Sequence, residues 1–458
     1  MTRHERVCFV LGLWAMGCGP WQRVGAPDRP QPGVNVMRVL DAADIYRAMG
    51  FYVSGPPLPF VGSLRYLRSA SRDSTLAVAA LSLANHALTF RRDGNEFVAE
   101  YHVEVIFRPD SAGVESVAVA RQMASDHVVR VRAFQETLRN DESIVFQQFL
   151  SLGPGVYHVT VLVRDRNGPG VAHQERLDTV PSYAGPGLAT PIAIYEGIGR
   201  TNAADPPKLL VNPRATLPYG GDTLRFYIEG YGLAAQARLA IQVTDQGGAN
   251  VLEDTVPVAG GTGLGRAVIV LAPSRLPMGQ AQIQLQPVGG GPSARSPFLV
   301  SFSSQWVITN FDQMISLLRY FERQDLVDSL RKASPADRPE MWKRFWKATD
   351  PVPITPENEA LDDYFRRIQT ANQRYSEAGD PGWLTDRGEV FITMGDPDEV
   401  YDLRGDVSRG GPAVIRWTYN SLQLLLLFVD QSGFGRFRLT PSSRADYQRA
   451  LFRVRRTR

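Results

Sequence analysis

Alternation of apolar and polar residues, the period-two pattern of half-buried strands, runs from Ser74 to about Val180. It is clearest over residues 100–107 and 156–164. The positions predicted to point inward are Tyr101, Val103, Val105, Phe107, Tyr157, Val159, Val161 and Val163. Further strands are predicted over residues 75–83, 88–91, 114–120, 128–133 and 143–150. Strands of this length and spacing indicate an immunoglobulin-like β-sandwich, to which we assign residues 71–204.

A second group of short strands follows, separated by turns that contain glycine or proline. It comprises residues 224–228, 237–243, 251–256, 267–271, 281–285 and 297–302. This pattern predicts a second all-β immunoglobulin-like sandwich, over residues 205–303. Ahead of both, residues 19–70 are interpreted as a proline-bearing tether with one helix, predicted over residues 36–49. Residues 51–60 are predicted to be irregular.

From Ser303 the apolar spacing becomes helical, and residues 304–380 are predicted to form a helical segment. Asn310 is predicted to cap a helix that runs to Phe321. Two more helices are predicted to begin at Ser334 and Thr355, each with a proline at the first helical position. The last of these carries one apolar stripe, interpreted as core: Leu361, Tyr364, Phe365, Ile368, Ala371 and Tyr375.

Residues 382–388, with the sequence GWLTDRG, form the densest local signal in the chain. Gly382 permits a tight backbone, Trp383 favours burial, and Thr385 and Asp386 can bind nearby amides. After Gly388, the β-branched and aromatic content of residues 389–394 predicts a strand. An acidic turn follows, made of Gly395, Asp396, Pro397, Asp398 and Glu399. We assign residues 381–443 to an α+β region, with a buried central strand at 422–429 and a partner strand at 434–439.

The last residues, 444–458, are a basic tail with apolar residues at helical intervals. A short docked helix with its arginines in solvent is the simpler interpretation, and contact with anionic lipid or a partner is the alternative. Over the whole chain of 458 residues, 43% hydrophobic content suits about three domains. The 50 basic and 47 acidic residues nearly balance, which argues against a nucleic-acid-binding protein.

Residues 1–18 resemble a bacterial lipoprotein signal peptide, with a basic start and an apolar stretch too short to span a bilayer. Cys18 would be the lipid acceptor, and an ordinary secretory peptide is the alternative. Only Cys8 and Cys18 are cysteines, so the processed chain would have no disulfide and no thiolate nucleophile. Both interpretations predict an extracytoplasmic protein, and Gly19 after Cys18 favours the outer membrane by resemblance to known lipoproteins.

Candidate chemistry is sparse. The residues after 173 contain no histidine, so a Ser–His device in the region of the motif is excluded. His102, flanked by Glu100 and Glu104, could form a metal site with His158 on the solvent face of the first sandwich, but ordinary surface polar residues are the favoured interpretation. Five carboxylates lie in a short window and could act on a glycan or bind calcium: Asp386, Asp396, Asp398, Glu399 and Asp402. We favour a turn-forming role for them. No catalytic residue, metal or cofactor is assigned.

The pentapeptide at 382–386, its flanks and the acidic turn closely resemble the GWxTD-domain family of extracytoplasmic bacterial proteins, often lipoproteins with no established activity. The resemblance covers roughly residues 310–439 and includes Trp417 and Tyr419. One departure is Asp396, where the family more often has a second proline. The family resemblance implies a non-enzymatic envelope lipoprotein that acts as a scaffold or protein-interaction subunit. The expected contacts are an envelope protein partner and the membrane, through the lipid anchor, with no nucleic acid and no small-molecule substrate. A carboxylate-dependent glycan-acting or calcium-binding envelope protein is the alternative.

Overall fold

The computed structural model describes residues 42–110, 120–139, 144–221, 223–234, 236–260, 263–303, 306–353, 358–377, 379–402 and 412–457. Cys18 and the rest of the predicted signal peptide therefore lie outside the described residues. The described part is mostly β-sheet, arranged in several sheets, with a helical region towards the C-terminus. None of its helices is both long and apolar enough to cross a membrane.

The first β region forms two sheets that contribute to one core. Its elements are α1 (Ala42–Ala48), β1 (Tyr52–Ser54), β2 (Phe60–Arg68), β3 (Thr75–Leu83), β4 (Arg91–Asp93), β5 (Glu96–Pro109), β6 (Arg121–Val131), α2 (Phe134–Thr137), β7 (Ile144–Leu152), β8 (Gly155–Asp165) and β9 (Val171–Val180). One sheet has the order β1-β2-β3-β7, and the other runs β4-β5-β8-β9 with β6 paired to β5. All eight side chains predicted to point inward from β5 and β8 are buried, because alternate residues of a strand share a face.

Three predictions for this region need correction, and a fourth falls mostly outside the described residues. Residues 51–60 were predicted to be irregular, but they contain strand β1. The first sandwich was assigned to begin at residue 71, but β1 and β2 lie before that residue and belong to its first sheet. The strand predicted over 88–91 begins only at Arg91, because Asn85–Ala87 form a 3-10 turn. Most of the strand predicted over 114–120 lies outside the described residues.

The second β region also builds two sheets around one core. Its strands are β10 (Gly187–Leu188), β11 (Ile192–Gly199), β12 (Lys208–Val211), β13 (Thr216–Pro218), β14 (Leu224–Tyr231), β15 (Arg238–Asp245), β16 (Asn250–Pro257), β17 (Ala259–Gly260), β18 (Leu264–Leu271), β19 (Gly279–Pro287) and β20 (Ala294–Ser301). One sheet has the order β12-β11-β14-β18-β17 with β10 on β14, and the other has the order β13-β20-β19-β15-β16.

A buried ion pair within the second β region also contacts the first. Arg200 binds the carboxylate of Glu229 through two nitrogens, at 2.8 and 3.0 Å. Glu229 also accepts hydrogen bonds from the hydroxyls of Tyr227 and Tyr231, each at 2.7 Å. Arg200 donates in addition to the carbonyl of Arg68 on β2. Because the charges are paired and hydrogen-bonded, their burial is tolerated, and they fix the second region against the first.

The C-terminal region packs helices on one side of an antiparallel sheet with the order β21-β22-β23-β24. Its helices and strands are α3 (Phe311–Leu317), α4 (Gln324–Lys332), α5 (Arg338–Thr349), α6 (Glu359–Tyr375), α7 (Asp386–Met394), β21 (Glu399–Asp402), β22 (Ala413–Tyr419), β23 (Leu424–Asp430), β24 (Arg438–Leu439) and α8 (Pro441–Thr457). Asn310 caps α3 by accepting from the amide of Gln313 at 2.9 Å, as predicted. The docked helix predicted at the C-terminus is confirmed as α8.

Two helix starts and one strand differ from the predictions. α5 begins at Arg338 rather than after Ser334, and α6 is capped by Asn358, whose side chain accepts from the amide of Leu361. Thr355 and Pro356 lie outside the described residues. β23 was predicted to be buried on both faces, but Leu425 is 47% exposed, because helices cover only one face of this sheet.

The strand predicted over residues 389–394 is wrong: these residues belong to helix α7. The Thr385 side chain caps the helix, and Val390, Phe391 and Ile392 are buried in the C-terminal core. Local β propensity is a weak preference, and tertiary burial together with a helix cap overrides it here.

Candidate functional site

Residues 382–388 form a tight corner between α6 and α7. Gly382–Leu384 make one 3-10 turn, and Thr385 is the N-cap residue of α7. The Thr385 hydroxyl donates to the carbonyl of Gly382 at 2.8 Å and accepts from the amide of Gly388 at 3.0 Å. This side chain is completely buried, so it satisfies two backbone groups where water cannot.

Both glycines of the corner are required by close backbone contact. A Cβ atom on Gly382 would lie 2.0 Å from the carbonyl oxygen of Ala371 in α6. A Cβ atom on Gly388 would lie 1.8 Å from the carbonyl oxygen of Gly382. Real Cβ contacts are never this short, so α6, the 3-10 turn and α7 can meet here only with hydrogen at both positions.

Trp383 is a core residue, with only 6% of its surface exposed. Its amide donates to the side-chain oxygen of Asn372 on α6 at 3.0 Å. Its ring lies 6.4 Å from that of Tyr320, and the Arg319 guanidinium lies 5.9 Å from the indole. The tryptophan therefore fixes the corner against two helical elements, and its ring is not available as an exposed contact.

Asp386 connects the corner to β24, the last strand of the sheet, and to helix α8, which follows it. Its carboxylate accepts from the amide of Leu439 in β24 at 2.7 Å and pairs with Arg444 of α8 at 2.8 Å. Arg444 also pairs with Glu389, one turn further along α7, at 2.8 Å. The acidic residues at the start of α7 therefore bind the chain where it leaves the sheet, and the helix dipole favours them there.

A second ionic contact lies beside the first. Arg387 binds the buried carboxylate of Glu377 at 2.8 Å, and its guanidinium lies over the ring of Phe437 at 4.7 Å. Glu377 also accepts from the amide of Phe437 at 3.0 Å, and Arg438 approaches it to 4.0 Å. Burial raises the pKa of Glu377 above its ordinary value, against the opposing attraction of Arg387.

Sequence reasoning missed Glu377, Arg438 and Arg444 as partners of the motif. They lie before or well after residues 382–388 in the chain, and only the folded sheet and α8 bring them together. The carboxylates and arginines of this network bind one another and backbone amides. Its evident role is to hold the corner, β24 and α8 in one arrangement.

The acidic turn lies on the surface. Gly395 ends α7 with a φ of +85°, a conformation that favours glycine. Its amide donates a hydrogen bond to the backbone carbonyl of Phe391. Asp396 forms an exposed ion pair with Arg374 at 2.8 Å. Asp398 accepts from the amide of Asn420 at 2.6 Å, and Pro397 between them is half-buried. Glu399 begins the exposed edge strand β21, which ends at Asp402.

Trp417 and Tyr419 lie on the inner face of the sheet, 2% and 4% exposed. The Trp417 ring contacts Tyr375 of α6 and Phe428 of β23, at 5.3 and 4.9 Å between ring centres. The Tyr419 hydroxyl donates to the carbonyl of Gly395 at 3.0 Å. Both aromatics hold the sheet against the motif helices, so neither forms an exposed binding patch.

The five candidate carboxylates do not converge. Asp386 binds β24 and α8, whereas Asp396 binds the end of α6 and Asp398 the turn after β22. Within the described ranges, no group of three or more metal-binding side chains could hold an ion. The histidine pair is also separated: His158 lies opposite Arg108 on β5, and His102 lies opposite Arg164 on β8 and bonds Asp126 at 2.8 Å.

Two of the clefts in the described part of the chain have similar volumes, and the motif residues line neither. One of about 360 Å³ lies where α1, the β1–β2 turn and α6 meet, with Tyr46, His86, Arg214 and Trp306 in its wall. The other, of about 380 Å³, lies between α5, α6 and the end of α8. Neither cleft gathers the carboxylates that a glycan-cleaving site at the motif would need.

The outer face of the C-terminal sheet is apolar at its centre. We define the outer sheet face as Tyr401, Val414, Arg416, Leu425, Leu427 and Val429. Cross-strand pairing places these side chains together, because Arg416 lies opposite both Tyr401 and Leu427, and Val414 opposite Val429. The Arg416 guanidinium lies 4.0 Å from the Tyr401 ring, and Tyr401 and Leu425 are exposed.

Fold and site together define a β-rich protein that ends in a helix-and-sheet region built around the corner at 382–388. Residues 294–424 match the sequence profile of the GWxTD domain, so this part of the chain is a GWxTD domain, as the resemblance predicted. No curated protein matches the chain. A crystal structure of a tetra-tandem repeat in the extending region of a large adhesion protein is similar over 52% of this chain and 48% of that chain. At 12% identity and a TM-score of 0.15, that similarity carries no argument about fold or function.

Proposed function

We propose that this protein is a non-enzymatic, lipid-anchored cell-envelope protein that acts as a scaffold or protein-interaction subunit through its GWxTD domain. The observation that carries the proposal is the division of the C-terminal sheet. Its inner aromatics, Trp417 and Tyr419, are buried against the motif, while the outer sheet face presents an apolar surface to solvent. Contiguous exposed apolar side chains are typical of protein contact sites.

The partner is proposed to be an envelope protein that packs an apolar surface on Leu425 and Leu427. The Arg416 guanidinium lies against the ring of its cross-strand neighbour Tyr401, and tyrosine and arginine are both enriched among the residues that dominate protein interfaces. Charged residues lie on the two edge strands of this sheet: Glu399 on β21, and Arg438 on β24, where it also approaches Glu377. This arrangement suits a folded protein surface better than a glycan, because apolar and aromatic side chains outnumber charged ones on the outer sheet face.

The two β regions are proposed to be immunoglobulin-like sandwiches that carry the GWxTD domain on the anchored chain. Paired sheets with shared cores support this, as does the hydrogen bond from Arg200 of the second region to the carbonyl of Arg68 in the first. Cys18 is proposed to carry the anchor, on the periplasmic or surface side of the outer membrane. Cys18→Ser should release the protein into the soluble fraction, and association that resists a high-salt wash would contradict the anchor.

Site-specific crosslinking tests the interaction surface. A photo-crosslinkable residue is placed at Leu425 in one strain and at Val270, an equally exposed apolar position on β18, in another. The proposal predicts a discrete adduct with one envelope protein from Leu425, none from Val270, and loss of the adduct when Leu427→Glu is added. Indistinguishable adducts from both positions, or an adduct that survives Leu427→Glu, would contradict it.

The alternative function, carboxylate-dependent action on a glycan or calcium, is tested by titration. Calcium or cell-wall glycan fragments are added to the purified chain and to an Asp396→Asn, Asp398→Asn double variant. The proposed scaffold predicts the same weak or absent binding in both proteins. Saturable binding that the double variant loses would favour the alternative.

A further inference from the structure

The C-terminal helix α8 has two dissimilar faces. Tyr447 and Ala450 point into the C-terminal core and are buried, and Leu451 packs beside them. The opposite face forms a continuous exposed stripe, which we call the α8 stripe: Ala445, Gln448, Arg449, Phe452, Arg453 and Arg456. Spacings of three, four and seven residues place these side chains in one line along the helix.

The α8 stripe combines positive charge with an exposed aromatic ring. Arg449, Arg453 and Arg456 are its charged residues, and Asp446 beside it pairs with Arg449. Phe452 lies between them and is 64% exposed, and Arg456 lies 5.8 Å from its ring. Arginines near a helix C-terminus stabilise the helix through its macrodipole. That effect explains the arginines, but it does not explain an exposed phenylalanine among them.

We infer that the α8 stripe binds the surface of an anionic phospholipid bilayer. The arginines would contact lipid phosphates, and Phe452 would enter the boundary between head groups and acyl chains. The stripe carries three arginines and no acidic residue, so its formal charge is positive although the whole chain is nearly neutral. A nucleic-acid site would instead need a broad basic surface, which a formal charge of +3 does not indicate.

This contact would be weak and reversible, as expected for one ring and a few charges. It would act on a molecule that the anchor has already brought to the membrane, because a second contact on the same chain gains from high local concentration. The inference does not depend on the outer sheet face, which lies on different elements.

Vesicle binding tests the inference directly. The full-length chain with Cys18→Ser, so that no lipid is attached, is mixed with vesicles of phosphatidylcholine alone or with added phosphatidylglycerol, and bound protein is measured by flotation. Binding is expected only with phosphatidylglycerol and is expected to fall with salt. Each of Arg453→Gln and Arg456→Gln should weaken it about fivefold, the effect of one charge near an anionic surface. Phe452→Ala should weaken it severalfold.

Matched variants separate the α8 stripe from general charge and exposure. Phe434→Ala removes a phenylalanine that is 79% exposed in the turn after β23, and Arg331→Gln and Arg344→Gln remove exposed arginines from α4 and α5. These controls should bind vesicles like the parent chain. Equal binding to both vesicle types, equal loss in the controls, or tighter binding to single-stranded DNA than to the anionic vesicles would overturn the inference.

Discussion

Residues 382–388 and 395–399 both contain glycine and acidic side chains, and they lie at the two ends of the same helix, α7. The first segment is buried, and its two glycines touch backbone while Thr385 satisfies two backbone groups. The second is on the surface, where Asp396 makes only an exposed ion pair with Arg374. The comparison teaches that the distinctive residues of a family signature can be divided between a fold-determining corner and an ordinary surface turn.

Gly388→Ala should have the largest effect, because its Cβ would lie 1.8 Å from the carbonyl of Gly382 and neither backbone can move freely. We expect a loss of at least about 3 kcal/mol from the free energy of unfolding of the C-terminal region. Tryptophan fluorescence during denaturation reports on this region, since all the described tryptophans lie between residues 306 and 417. Gly185→Ala, where nothing lies within 4 Å, is the control and should be nearly neutral.

Thr385→Val removes the hydroxyl but keeps the shape of the side chain. It should cost about 2 kcal/mol, because the buried amide of Gly388 loses its partner and the carbonyl of Gly382 keeps only its bond from the Thr385 amide. Thr385→Ser keeps the hydroxyl and should recover most of the stability. Equal stability of the valine and serine variants would contradict the capping role.

Glu377 should make stability depend on pH. Its folded-state pKa is raised by burial, so the folded protein keeps this proton in a range where the unfolded chain has released it. The stability that this proton contributes is present below the unfolded pKa and is lost as the pH rises through the folded pKa. Glu377→Gln should therefore show a smaller loss of stability than the parent chain when the pH rises from the usual carboxyl range to neutrality. A larger loss in the variant would reverse this assignment.

Asp396→Ala should have the smallest effect. Exposed ion pairs contribute little, so the denaturation midpoint should not change measurably. Arg331→Ala, which breaks an exposed pair on α4, gives a reference for that size of effect. A large loss of stability in Asp396→Ala would show that the acidic turn is as essential to the fold as the corner.

The sequence predicted the β regions well, because period-two burial is a local pattern: Tyr101, Val103 and their neighbours alternate as expected. It failed at residues 389–394, where β-branched residues suggested a strand. Thr385 followed by Asp386 and Glu389 was a helix-start signal that could have corrected this. Glu377, Arg438 and Arg444 had no local signal, because their meeting with the motif depends on the folded sheet.

The central claim is that the corner builds the fold while interaction takes place on the outer sheet face. It is tested most directly by Asp386→Ala, which removes the carboxylate bound to Leu439 and Arg444, in a chain that also carries the crosslinkable residue at Leu425. We predict a lower denaturation midpoint, and an adduct that is kept at temperatures where the variant remains folded. An unchanged midpoint with loss of the adduct would contradict the account, because Asp386 would then act in binding rather than in folding.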